Sequence, residues 1–226
     1  MGSVLTYEPY LYLAVPLAAM LSLVLGANNF STCLGASLGA GIVKLRNAAA
    51  IASVGIFLGV LLEGHKLSTV FDGQMLAGLS IHGLVAVLLS TLLIMAIVTA
   101  LHVPLSLSQV MIGAGWGFAV AAGAQIGYNY SLEVIVSWLL SPAVAFMISA
   151  LIEIMILRLG AKIKDIIALN RVYATLTLVA GFYAAYTLGA NTLGLVVGLF
   201  PSGLEGRLSL SLVFSLGAIV GVFFLS

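Results

Sequence analysis

Long apolar runs dominate this chain, and short polar breaks divide them. Seven runs stand out, at roughly 10–43, 48–62, 75–101, 103–123, 132–157, 172–200 and 208–225. A helix needs about 20 apolar residues to cross a bilayer. The runs are continuous, without the two-residue alternation of barrel strands, so they predict helices. The first run exceeds one crossing and reads as a span plus a re-entrant piece. The second is short for a span. The expected fold is an all-α integral membrane protein with about seven hydrophobic segments and broken or re-entrant helices.

The polar breaks are where chemistry is expected. Residues 25–41 read LGANNFSTCLGASLGAG, with Asn28, Asn29, Ser31, Thr32 and Ser37 set among glycines. Lipid offers no hydrogen bonds, so such a stretch must be buried in protein or line a wet cavity. Its asparagines can cap a half-helix beginning near Phe30, as in the discontinuous helices of transporters. Close helix packing by small residues, in the small-xxx-small manner of residues 35–39, is a compatible reading. The second break, HVPLSLSQ at 102–109, holds Pro104, which disfavours helix just before it. A helix starting near Ser106 would leave unpaired N–H groups beside Ser106, Ser108 and Gln109, a neutral, dipole-positive place for an anion.

An internal repeat links the two ends of the chain. Leu25-Gly26-Ala27-Asn28 recurs as Leu188-Gly189-Ala190-Asn191, a shift of 163, and Gly35 matches Gly198 at the same shift. Composition agrees with a membrane protein: 62% of residues are hydrophobic, 7% are charged and the mean hydropathy is +1.25. Soluble domains carry about 25% charged residues. Arg158, Lys162, Lys164 and Arg171 cluster in one connection, which the positive-inside rule places in the cytoplasm. Counting one crossing per run then puts Lys44 and Arg46 on that side, Lys66 and Arg207 on the other, and the N-terminus outside. The repeat copies start on opposite sides, as inverted repeats require. The expected organisation is a first repeat at 1–158, a cytoplasmic basic loop at 159–170, and the start of a second, inverted repeat at 171–226. Those last residues are too few to repeat the whole first unit, so a homo-oligomer or a second chain is expected to complete it. Cys33 is alone, and no zinc spacing, P-loop, catalytic triad or paired-cysteine motif is present. Glu63 and Glu153 read as interfacial side chains. Nothing here favours an enzyme, a cofactor or a nucleic-acid partner.

Taken together, the motifs resemble those of the inorganic phosphate transporter family. Residues 25–41 are similar to its GANDxANxxGTxxGS signature, 103–117 (VPLSLSQVMIGAGWG) to its PVSTTHxxxGAxxG, 138–142 (WLLSP) to its W-x-x-SP, and 188–198 (LGANTLGLVVG) to its second GAND copy. The resemblance implies a multi-pass cell-membrane permease. Its cargo would be a small inorganic oxyanion, phosphate or alternatively sulfate, coupled to Na⁺ or H⁺. Carried over, it implies substrate contacts from Asn28, Asn29, Ser106, Ser108, Gln109 and Asn191, and cation contacts from Asn28, Thr32, Asn191 and Thr192. The departures are specific. The family aspartate is Asn29 in the first copy and Thr192 in the second, the asparagine three residues on is Thr32 and Leu195, and the family histidine is Gln109. Two negative charges are thereby missing from the expected cation site, which also motivates the alternative of a non-transporting subunit that assembles with a partner.

Overall fold

The computed structural model describes residues 8–67, 80–101, 103, 105–200 and 204–224, and these are nearly all helical. In chain order they form α1 (Glu8–Gly39), α2 (Leu45–Glu63), a 3₁₀ turn (Gly64–Leu67), α3 (Ile81–Ala100) and α4 (Leu107–Ala122). After these come α5 (Tyr128–Gly160), α6 (Ile166–Thr187), a π turn (Leu188–Leu193), α7 (Gly194–Gly198) and α8 (Leu204–Phe224). Six helical stretches are long and apolar enough to cross a membrane. The seventh, Leu107–Ala122, has 16 residues. It is about 24 Å long, short of the ~30 Å hydrocarbon core. It packs back on α3 as a hairpin, so the fourth run is not an independent crossing. Because α3 and α4 count as a pair, the inside–outside charge count is unchanged if neither of them crosses.

The first run corrects the sequence expectation. It is neither broken nor re-entrant: α1 continues unbroken for 32 residues through Asn28 and Asn29. Asn29 Nδ2 donates to the carbonyl of Leu25 one turn back, at 3.1 Å, so this polar side chain is satisfied within an intact helix. The glycines serve another purpose. A Cβ at Gly26 would land on the carbonyl oxygen of Ala218 in α8, and one at Gly221 would land on that of Leu23. Here two backbones touch, which only glycine permits.

These crossings occur twice. Gly189 meets the carbonyl of Ile56, and Gly59 meets that of Tyr186. Gly55 lies against Phe182 O and the Ala185 side chain, while Gly217 lies against Ala19 O and the Ser22 side chain. Every α1 residue in these contacts maps onto its second-half counterpart with a shift of 163, and every α2 residue onto α8 with a shift of 162. Helix α1 thus crosses α8 as the α6–π segment crosses α2, and the two halves exchange about a pseudo-two-fold axis. The two lead helices run antiparallel: Leu34 of α1 sits on Gly181, while Asn29 and Thr192, further back on α1 and further along the second, share one cleft. This is the inverted-repeat arrangement. Its core centres on Leu21, Leu25, Leu34, Ile56, Phe200 and Phe214, all essentially buried.

Helix α5 stands apart. Ser131 and Gly160 are its buried residues. Ser131 accepts a hydrogen bond from Trp116 Nε1 at 3.1 Å, and Trp138 lies 6.2 Å from the Trp116 ring, which ties the start of α5 to α4. At the other end a Cβ on Gly160 would strike the Tyr173 hydroxyl of α6. Between these ties large apolar side chains such as Leu139, Phe146, Met147 and Leu151 point outward. Lipid is a suitable solvent for such a surface. The expected loop at 159–170 is much shorter than that, since α5 ends at Gly160 and α6 begins at Ile166.

Candidate functional site

Two of the polar breaks meet at one cleft. Asn28, Asn29 and Thr32 of α1, Leu105 to Leu107 at the start of α4, and Thr192 of the π turn enclose about 240 Å³. Asn28 lies about 30 Å along the ~48 Å axis of α1, well inside any membrane crossing. Asn29 and Thr192 are counterparts under the 163-residue shift, so the exchange axis passes close to this cleft.

Each wall contributes differently. Asn28 Nδ2 is buried and has no hydrogen-bond partner in the protein, which leaves an amide donor unspent beside the cleft. Such an orphan costs about 1–3 kcal/mol when buried, unless a ligand or water meets it. Asn29 has committed its amide nitrogen to Leu25, so its oxygen is the end left to accept. Ser106 is the N-cap of α4, in extended conformation, yet its side chain caps nothing. It bonds instead to the Ser108 hydroxyl at 3.0 Å. The first helical bond of α4 runs from Val110 N–H to Ser106 O at 3.1 Å. The amides of Leu107, Ser108 and Gln109 precede it, and they are the orphan donors of a helix start, at its positive end. Here the expectation of a helix beginning beside Ser106 matches the structure. His102 and Pro104, in the same connection, lie outside the described residues.

The π turn explains a split between the repeats. In the second copy Gly194 N–H reaches back five residues to Gly189 O, a wider turn than the α-helical first copy makes. The extra residue per turn changes which side chains face inward. Thr192 lines the cleft, Asn191 is exposed and does not, and Leu195 is buried in the core. Ser108 is half-buried behind Ser106, and Gln109 is exposed; neither lines the cleft. The structure thus brings together Asn28, Asn29, Thr32, Ser106 and Thr192, and leaves Ser108, Gln109 and Asn191 at its margin or away from it. Leu105 and Leu107 were not singled out by the sequence, since an apolar wall carries no motif. No described residue that lines the cleft is ionisable. Glu63, at the end of α2, pairs with Lys66 at 2.5 Å, and Glu153 is exposed on α5.

Residues 25–195 match the model of the Phosphate transporter family, which covers both cleft-forming helices and the α4 start. This chain belongs to that family. Its fold is also that of a solved family structure titled "The sodium-dependent phosphate transporter": the TM-score is 0.74 at 18% identity, over 96% of this chain and 76% of the other. The mouse protein named sodium-dependent phosphate transporter 1 is 24% identical over 183 residues, covering 75% of this chain and 27% of its own length. A Chlamydia pneumoniae relative, named for phosphate-permease activity, is 29% identical over 143 residues, 57% of this chain and 34% of its own. The chain therefore spans about a third of the length of such curated relatives.

Proposed function

We propose that this chain carries phosphate across the membrane together with a cation, Na⁺ being the one its relatives are named for. The observation that carries the reading is the meeting of Asn29 and Thr192, counterparts of the two repeats, beside the first turn of α4. Around that point the donors for an oxyanion are Asn28 Nδ2, the Ser106 hydroxyl and the α4 amides. Such donors, fixed and short of water, replace the hydration of the anion. The Asn28, Asn29, Thr32 and Thr192 oxygens suit Na⁺ but carry no charge. A neutral cage holds a cation weakly on its own, so the negative charge must come from the anion. Cation and anion then bind as a pair, and each raises the affinity of the other.

Phosphate is preferred to sulfate because near pH 7 it keeps an O–H. That proton needs an acceptor, and Asn29 Oδ1 is one, its amide nitrogen being occupied. Sulfate would use donors alone. The test is uptake of labelled phosphate and sulfate by proteoliposomes, with and without Na⁺ and pH gradients. Saturable phosphate uptake driven by Na⁺ is expected. Sulfate uptake in its place overturns the substrate. Uptake of neither, with the fold intact, moves the chain to the partner-subunit reading.

A further inference from the structure

The connection between α5 and α6 presents Arg158, Lys162, Lys164 and Arg171, half of the chain's eight basic side chains within 14 residues. All four are exposed, and among the described residues none pairs with an acid. The acids near them are Asp165 and Glu153. Asp165 is turned inward: its Oδ1 accepts from Ile167 N–H at 2.9 Å and caps α6. Glu153 is on α5, more than one turn before Arg158, and makes no ion pair. A net charge of about +3 is thus left facing outward.

This is a built turn, not a loose charged loop. Lys162 N–H bonds to Leu159 O at 3.1 Å and Ile163 N–H to Gly160 O at 2.9 Å, closing the chain on itself. Gly160 packs so closely on Tyr173 and Leu169 of α6 that a Cβ there would strike the tyrosine hydroxyl. The basic groups therefore project from a fixed scaffold. Beside them the surface is apolar. Ile166 and Ile167 are 80% and 69% exposed, and Leu157 and Leu159 point outward on α5. Positive charge bordered by uncovered aliphatic side chains fits a ligand with a phosphate head and a hydrocarbon tail. A free phosphate ion would use the charge alone.

We propose that the α5–α6 turn, with Arg158, Lys162, Lys164 and Arg171 around the exposed Ile166 and Ile167, is a headgroup site for anionic phospholipid. The proposal stands apart from the transport reading, since the turn contributes nothing to the cleft. Juxtamembrane basic side chains each strengthen attraction to an anionic leaflet by about five-fold.

The experiment is thermal unfolding of the purified full chain in detergent, titrated with short-chain phosphatidylglycerol, short-chain phosphatidylcholine or inorganic phosphate. Phosphatidylglycerol should raise the melting temperature and phosphatidylcholine should not. The variant R158Q/K162Q/K164Q/R171Q should lose the response, and K162Q/K164Q, which changes only the exposed turn, should weaken it by about 25-fold in apparent affinity. The control K44Q/R46Q, at another connection, should keep it. The proposal is overturned if K162Q/K164Q responds as the parent does, or if the control loses as much. It is also overturned if inorganic phosphate reproduces the shift, which would make the turn a simple ion site.

Discussion

At the residue scale the cleft separates side chains that serve the fold from side chains that serve a ligand. Asn29 Nδ2 is tied to Leu25, whereas Asn28 Nδ2 is buried with no partner. Replacing Asn28 by Ala should therefore leave the melting temperature within a degree or two while weakening phosphate affinity. The expected loss is the ~1.5–3 kcal/mol of a hydrogen bond to a charged group, about ten- to a hundred-fold in KM for uptake. Asn29→Asp puts a carboxylate where Na⁺ is proposed to sit. Isothermal titration should then detect Na⁺ binding in the absence of phosphate, which the parent should not show. Most of these residues were legible in the sequence, because polar side chains at membrane depth need a reason. Asn191 was legible as a residue but not as a position. Its place depends on a π turn, and neither spacing nor propensity distinguishes LGANTL from the α-helical LGANNF.

At the scale of elements, the sequence marks the lead helices and hides how they are held. The LGAN copies reveal α1 and the α6–π segment. Their partners carry a weaker sign, Gly55-x-x-x-Gly59 in α2 and Gly217-x-x-x-Gly221 in α8, related by a shift of 162. That one-residue difference hides the second pair from a search at fixed period. The pattern itself is a known mark of close helix crossing. The unbroken α1 was missed for a related reason: glycines that suggest a break also permit backbone contact, and only the partner helix decides between them. Equivalence of the crossings gives a prediction. Gly59→Ala and Gly221→Ala should destabilise by similar amounts, about 1–3 kcal/mol from overpacking. Gly113→Ala and Gly117→Ala on α4, where a Cβ meets nothing within 4 Å, should be neutral or stabilising by up to ~1 kcal/mol. Thermal unfolding of the four variants compares them directly.

At the scale of the whole molecule, two antiparallel lead helices cross two partners, and the α3–α4 hairpin brings its tip to the point where the repeats meet. Membrane character and the helical class followed from hydropathy alone. The exchange symmetry needed the contacts, since few identities survive between the halves. The charge count orients the assembly with the α5–α6 turn in the cytoplasm. In a Cys33→Ala background, Lys164→Cys should react with a membrane-impermeant thiol reagent only when the cytoplasmic face is open, and Lys66→Cys only from the other side. The account turns on whether the neutral cleft between Asn29 and Thr192 moves an anion with a cation. The most direct measurement is uptake of labelled phosphate by proteoliposomes containing this chain, with an inward Na⁺ gradient and without one. Saturable uptake that requires the gradient, and that weakens in Asn28→Ala, is predicted. Phosphate flux indifferent to Na⁺ and unchanged by Asn28→Ala would contradict the account.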